Sequence, residues 1–180
     1  MSAAEGEDEE GRYATAVQLI DSGRGEEAIA ELGRQMEASV GEHRTRAAIQ
    51  LARIGPAALA AYRSLVRAAM NHEDDGLALT AIETLNAIDP ENLVGAPQVV
   101  RLLRRRVLRM WRGGAFLRVS MDESIFVRLV KALAINGRYF DGARFELEHQ
   151  SRSTSGRMLA AVTEALAGYG PREKEENEAA

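Results

Sequence analysis

The chain has 180 residues, 27 Asp and Glu against 23 Lys and Arg, and no Cys. This length fits one domain with a continuous core; the lack of Cys excludes disulfides and thiolate chemistry, and no run approaches the roughly 18 consecutive apolar residues of a membrane span. Aromatic residues are only 5%, which favours close-packed helices over a sheet, because strands draw on β-branched and aromatic side chains.

The net charge of −4 hides an asymmetry. Residues 1–10 hold five acids and no base, and residues 171–180 hold four acids and two bases. Without those ends the chain keeps 18 acids and 21 bases, a charge of about +3. Only Lys131 and Lys174 among the basic residues are lysine. Arginine suits bidentate recognition of phosphate or carboxylate, although a G+C-rich genome also raises Arg and Ala together and accounts for most of the excess. The acidic N-terminus carries no signal-peptide core, so the expected location is cytoplasmic.

Residues 1–11 are expected to form a disordered acidic tail, because they are small, charged and without an apolar period. Residues 12–170 are expected to form a single helical domain, and 171–180 a second disordered charged tail. Tyr13, Ala16, Val17 and Ile20 mark a helix, which Gly23-Arg24-Gly25 breaks. Glu26 and Glu27 open the next, at the end where the macrodipole favours acids, and Ala28, Leu32 and Met36 continue its stripe. The run G-R-G-E-E-A-I-A-E-L resembles the turn and second helix of a tetratricopeptide repeat, with Gly23 and Ala28 at that family's Gly and Ala positions.

The strongest internal signal is a repeat. Arg46–Pro56 reads R-A-A-I-Q-L-A-R-I-G-P, and 34 residues later Thr80–Pro90 reads T-A-I-E-T-L-N-A-I-D-P. Ala47 falls on Ala81, Leu51 on Leu85, Ile54 on Ile88 and Pro56 on Pro90. Each copy supplies a small residue for close helix approach, larger apolar residues one turn on, and a stop at Gly55-Pro56 or Asp89-Pro90. Such a unit cannot bury its apolar face alone, so copies are expected to stack. Pro56 suits the first turn of the following helix, whose expected buried stripe is Leu59, Tyr62, Val66 and Ala69. Asp74 or Asp75 can cap the helix after that.

Arg44, Ala47, Ala48, Leu51, Ile54, Gly55, Pro56 and Leu59 resemble a HEAT-like repeat of the short bacterial and archaeal kind, whose first helix commonly reads R-x-A-A-x-x-L-x-x-I-G before P-x-A-L-x-x-L. The second copy has Asp89 in place of Gly and inserts Glu91–Ala96 before Pro97. The resemblance covers residues 42–112. It implies an α-solenoid with an interaction role and names no ligand.

Pro97–Arg112 is read as one helix, with Pro97 aligned on Pro56. Its arginines 101, 104, 105, 109 and 112 then fall on one side with Arg106 at the margin, and Val99, Leu103, Val107, Met110 and Trp111 on the other. In this alignment Arg63 coincides with Arg104, and Arg67 sits one turn further along its own helix. Gly113-Gly114 ends the helix, and Ala115–Val119 is an apolar linker. Ser120-Met121-Asp122-Glu123 is a capping box for a helix through Phe126, Leu129, Val130 and Leu133 to Asn136-Gly137. Asp141–Gln150 and Met158–Tyr169 are the last helices, stopped by Gly170-Pro171. Gly23, Leu32, Leu51 and Gly55-Pro56 find counterparts in Gly137, Leu147, Leu166 and Gly170-Pro171, a pattern consistent with duplication of a three-helix unit.

The candidate site is therefore a basic concave face carrying Arg63, Arg67, Arg101, Arg104, Arg105 and Arg109. An acidic segment of a protein partner would satisfy it, and nucleic acid is the alternative. A solvated or internally paired face is the third reading, since any surface helix shows charge opposite its apolar stripe. Nucleic acid is disfavoured where Trp111 lies on the apolar side, away from the arginines. Glu146-x-x-His149 has no second copy, as di-iron bundles require. No metal, cofactor or catalytic group is expected, and membrane is not an expected partner. The sequence thus predicts an all-α fold: a short solenoid of antiparallel helix pairs, HEAT- or tetratricopeptide-like, with about eight or nine helices. Its expected role is that of a non-enzymatic interaction module.

Overall fold

The computed structural model describes residues 3–38, 41–71, 74–91, 94–105, 108–112, 115–119, 123–137 and 140–169, with side chains left undescribed at 3–9, 38, 105 and in the two strands. The body is all-α and built of packed helix pairs. In chain order the helices are α1 (Ala3–Asp21), α2 (Gly25–Ala38), α3 (Glu42–Ile54), α4 (Tyr62–Ala69), α5 (Asp75–Ile88) and α6 (Gly95–Arg105), then α7 (Glu123–Asn136), α8 (Asp141–Ser151) and α9 (Gly156–Ala167). A 3₁₀ segment, Gly55–Ala61, leads into α4. Two strands, β1 (Leu108–Arg112) and β2 (Ala115–Val119), lie between α6 and α7. None of the described helices is long and apolar enough to cross a membrane.

Local chemistry sets several boundaries where the sequence placed them. α3 stops at Gly55, whose φ of 70° lies in the left-handed region open to glycine, and its N–H closes on the carbonyls of Leu51 and Ala52. Pro56 then occupies the first turn of the 3₁₀ segment, where its missing N–H costs nothing. α5 ends at Ile88, just before Asp89-Pro90. Asp74 is its N-cap, with the carboxylate accepting from the Leu77 N–H at 2.9 Å. Asp74→Ala is expected to lower stability by about 1 kcal/mol, read as a drop in the urea midpoint at unchanged slope.

Two alternating series of contacts organise the packing. The odd helices follow one another, α1 on α3, α3 on α5, α5 on α7 and α7 on α9, while α2 meets α4 and α6 meets α8. Each even helix also packs on the next odd one, α2 on α3, α4 on α5, α6 on α7 and α8 on α9. α5 is the most enclosed: Leu77, Leu79, Ala81, Ile82 and Leu85 are all buried. The hydroxyl of Thr84, also buried, has one proton to share between Ala48 O of α3 at 3.0 Å and Thr80 O at 2.8 Å. Ala47, Ala48 and Leu51 of α3 face it, fully buried. These small-then-large positions are those of the 34-residue repeat.

Elsewhere the structure departs from the sequence reading. Leu59 is 55% exposed and Tyr62 and Val66 are only half-buried, while Ala58, Ala61, Leu65 and Ala68 face the core. The 3₁₀ segment turns every three residues, not 3.6, so the apolar stripe enters α4 on Leu65. α1 starts within the segment read as a disordered tail, and Glu10 pairs with Arg46 of α3 at 3.1 Å. The 97–112 helix is corrected: α6 stops at Arg105, and 108–119 form an antiparallel hairpin. The capping box at 120–122, Gly170-Pro171 and the 171–180 tail lie outside the described residues.

The proposed duplication also meets unlike packing. α1 packs chiefly on α2, whereas α7 packs about equally on α9 and α6. Close approach at the α7 end depends on Gly137: a Cβ there would overlap the Tyr169 hydroxyl and lie 2.8 Å from the Ala143 Cβ. That hydroxyl donates to Leu133 O at 3.0 Å and ties the end of α9 to α7.

Candidate functional site

Five of the six predicted arginines lie on α4 and α6. Neither helix contains an acid, while α2 and α8 beside them are acid-rich. Arg63 is exposed on α4. Arg67, one turn on, donates to Glu37 Oε1 of α2 at 2.8 Å, and the Ser64 hydroxyl donates to the same oxygen at 2.9 Å. The Arg67 side chain stays 69% exposed, so this pair is solvent-screened and contributes little to stability.

On α6 the buried side is Ala96, Val99, Val100, Leu102 and Leu103, which leaves Arg101 and Arg104 at its margin. The Arg101 guanidinium approaches Met70 O at 3.5 Å and Ala69 O at 3.4 Å. It thus places positive charge at the C-terminal end of α4, where the unpaired carbonyls and the macrodipole favour it. Arg104 Nε donates to Glu146 Oε2 of α8 at 2.8 Å, and Gln150 Nε2 donates to the other oxygen at 2.7 Å. The Glu146 side chain is 2% exposed and that of Arg104 60% exposed. A carboxylate buried this deeply requires such donors. Glu146 therefore acts as a packing anchor between α6 and α8. Among the described residues no group of His, Asp and Glu is placed to hold a metal ion.

The remaining predicted residues part company. Arg105 is the last residue of α6, and Arg109 lies in β1, paired with Arg118 of β2. The single six-arginine helical face is thus corrected to two groups, one on α4 and α6 and one on the hairpin. A signal for the hairpin existed. L-R-M-W-R and A-F-L-R-V are short, rich in bulky apolar residues, and separated by Gly-Gly, a pair that two-residue hairpin connections favour. Aligning Pro97 on Pro56 imposed a helical period over it.

Sequence reasoning also missed a trough on the odd-helix side. Between α7 and α9 runs a recess of about 610 Å³ lined by Pro90, Lys131, Ile135, Ala161, Glu164 and Gly168. A second recess of about 730 Å³ continues it past Val127, Arg128 and Arg157, sharing Lys131, Ala161 and Glu164. Ile135 is 54% exposed at its edge. Arg128 is tied to Glu83 of α5 at 2.9 and 2.5 Å, and this hydrogen bonding holds its pKa above the ordinary arginine value. The trough is of mixed charge and lies apart from the α4 and α6 arginines.

The chain matches no protein-family model, no curated protein and no solved structure.

Proposed function

We propose that the chain is a short α-solenoid of antiparallel helix pairs, working in the cytoplasm as a non-enzymatic interaction module, and that it binds an acidic segment of a protein partner across α4 and α6. The continuous series of odd helices supports the solenoid, since a curved stack of helix pairs produces that order of neighbours, although the even series is interrupted between α4 and α6. One observation carries the partner class. α4 and α6 carry Arg63, Arg67, Arg101, Arg104 and Arg105 and no acid of their own, and two of these arginines already hold carboxylates, Glu37 and Glu146. Guanidinium groups that receive carboxylates from α2 and α8 suit carboxylates from outside.

Arg63 and Arg67 are the residues to test, because both are exposed and neither anchors a buried group. The variant Arg63→Glu with Arg67→Glu is expected to weaken binding of an oligoglutamate peptide on the order of tenfold, at unchanged thermal midpoint. Equal affinity of variant and parent for the peptide would remove the α4 and α6 face as a binding surface. A second reading, nucleic acid, is favoured by one observation: no acid occurs between Glu91 and Asp122, a stretch with seven arginines. Phosphate binding differs from peptide binding in falling log-linearly and steeply with salt.

A further inference from the structure

The hairpin changes the company that Trp111 keeps. Leu108 pairs with Val119, Arg109 with Arg118, Met110 with Leu117, Trp111 with Phe116 and Arg112 with Ala115. Residues two apart on a strand share a face, and so do directly paired residues. One face of the ribbon therefore carries the Arg109–Arg118 pair followed by the Trp111–Phe116 pair. The opposite face carries Leu108, Met110 and Arg112 with their partners Val119, Leu117 and Ala115. Read as a helix, this stretch put Trp111 on the side away from the arginines. As a ribbon it puts two aromatics and two arginines in adjacent register positions.

The described helices give the ribbon little support. Among the described residues its strands pack on each other, and no helix makes more than a marginal contact with either. A lone two-stranded hairpin is at best marginally stable in water, and this one offers apolar residues on both faces. Its charge narrows the occupant. Both strands together hold three arginines and no acid, and the chain on either side adds none from residue 92 to 121. A polyanion with flat apolar groups at regular intervals matches guanidinium groups beside aromatic rings. Stacking on aromatics next to a phosphate-tracking cation is the common chemistry of single-strand recognition.

We propose that the 108–119 hairpin is a binding element for single-stranded nucleic acid, in which Arg109 and Arg118 take phosphates and Trp111 and Phe116 stack on bases. It uses residues other than those of the α4 and α6 face. It stands whether or not that face binds an acidic peptide.

Trp111 is the only tryptophan in the chain, so its emission reports on the hairpin alone. The full chain is titrated with an oligothymidylate of about 15 nucleotides, long enough for one such site. Trp111 emission is expected to be quenched as bases stack on it. Trp111→Ala with Phe116→Ala, followed by anisotropy of a labelled oligonucleotide, is expected to weaken binding at least about tenfold. Arg109→Gln with Arg118→Gln is expected to flatten the slope of log affinity against log salt by about 1.4, two phosphate contacts' worth. Unchanged far-UV circular dichroism in both variants keeps the helical body as the common reference. The proposal is overturned if the oligonucleotide leaves Trp111 emission unchanged or if removing both aromatics leaves affinity unchanged. It is equally overturned if anionic vesicles or oligoglutamate, and not the oligonucleotide, perturb Trp111. Arg63→Glu with Arg67→Glu leaves the hairpin intact, so the two readings fail separately.

Discussion

Phe126→Ala is expected to lower the unfolding free energy by about 3–5 kcal/mol, the range for truncating a buried phenylalanine. Phe126 is fully buried in the first turn of α7, the helix that packs on α5, α6 and α9 at once. Its removal forfeits transfer energy and leaves a space that three helices cannot close together without losing their own contacts. Ile135 lies later on the same helix and is 54% exposed. Ile135→Ala is therefore expected to stay within about 0.5 kcal/mol of the parent. Urea unfolding of both variants checks the pair: a large fall in midpoint for the first and almost none for the second. Equal, small effects would mean that α7 does not anchor the packing of α5, α6 and α9.

The second large effect is expected at Arg104. Removing its guanidinium leaves Glu146, whose side chain is 2% exposed, with Gln150 as its remaining side-chain donor. Breaking a fully buried ion pair costs more than making one contributes. Here Arg104 is itself 60% exposed, and water can reach the vacated position, so Arg104→Ala is expected to cost about 1–3 kcal/mol. Glu146→Gln in the same background should recover part of that loss, since a neutral amide needs less compensation. A double-mutant cycle read by urea unfolding gives the coupling directly. Additive single effects would show that the pair is not what joins α6 to α8. The result also bears on function: a loss of binding in Arg104→Ala mixes a contact with a shift of α6, whereas Arg63 gives a clean reading.

The sequence by itself determined the helical class, most helix ends and much of the core. Gly55-Pro56, Asp89-Pro90 and the Asp74 cap act within one turn, so their outcome is legible from neighbouring residues. The 34-residue repeat located Ala47, Leu51 and Leu85, all fully buried, because a stacked helix needs a small residue and then large ones at fixed spacing. The tertiary structure decided what depends on partners far along the chain. Arg104 and Glu146 are 42 residues apart, and no local signal says that this exposed-looking glutamate is buried. The trough between α7 and α9 exists only once those helices lie side by side. Leu59 faces solvent because a 3₁₀ turn shifts the phase of the stripe before α4 begins. The hairpin at 108–119 lies between these cases. Its arginines and apolar residues fit a period of 3.6 nearly as well as a period of 2, and only the pairing of one strand with the other selects the second.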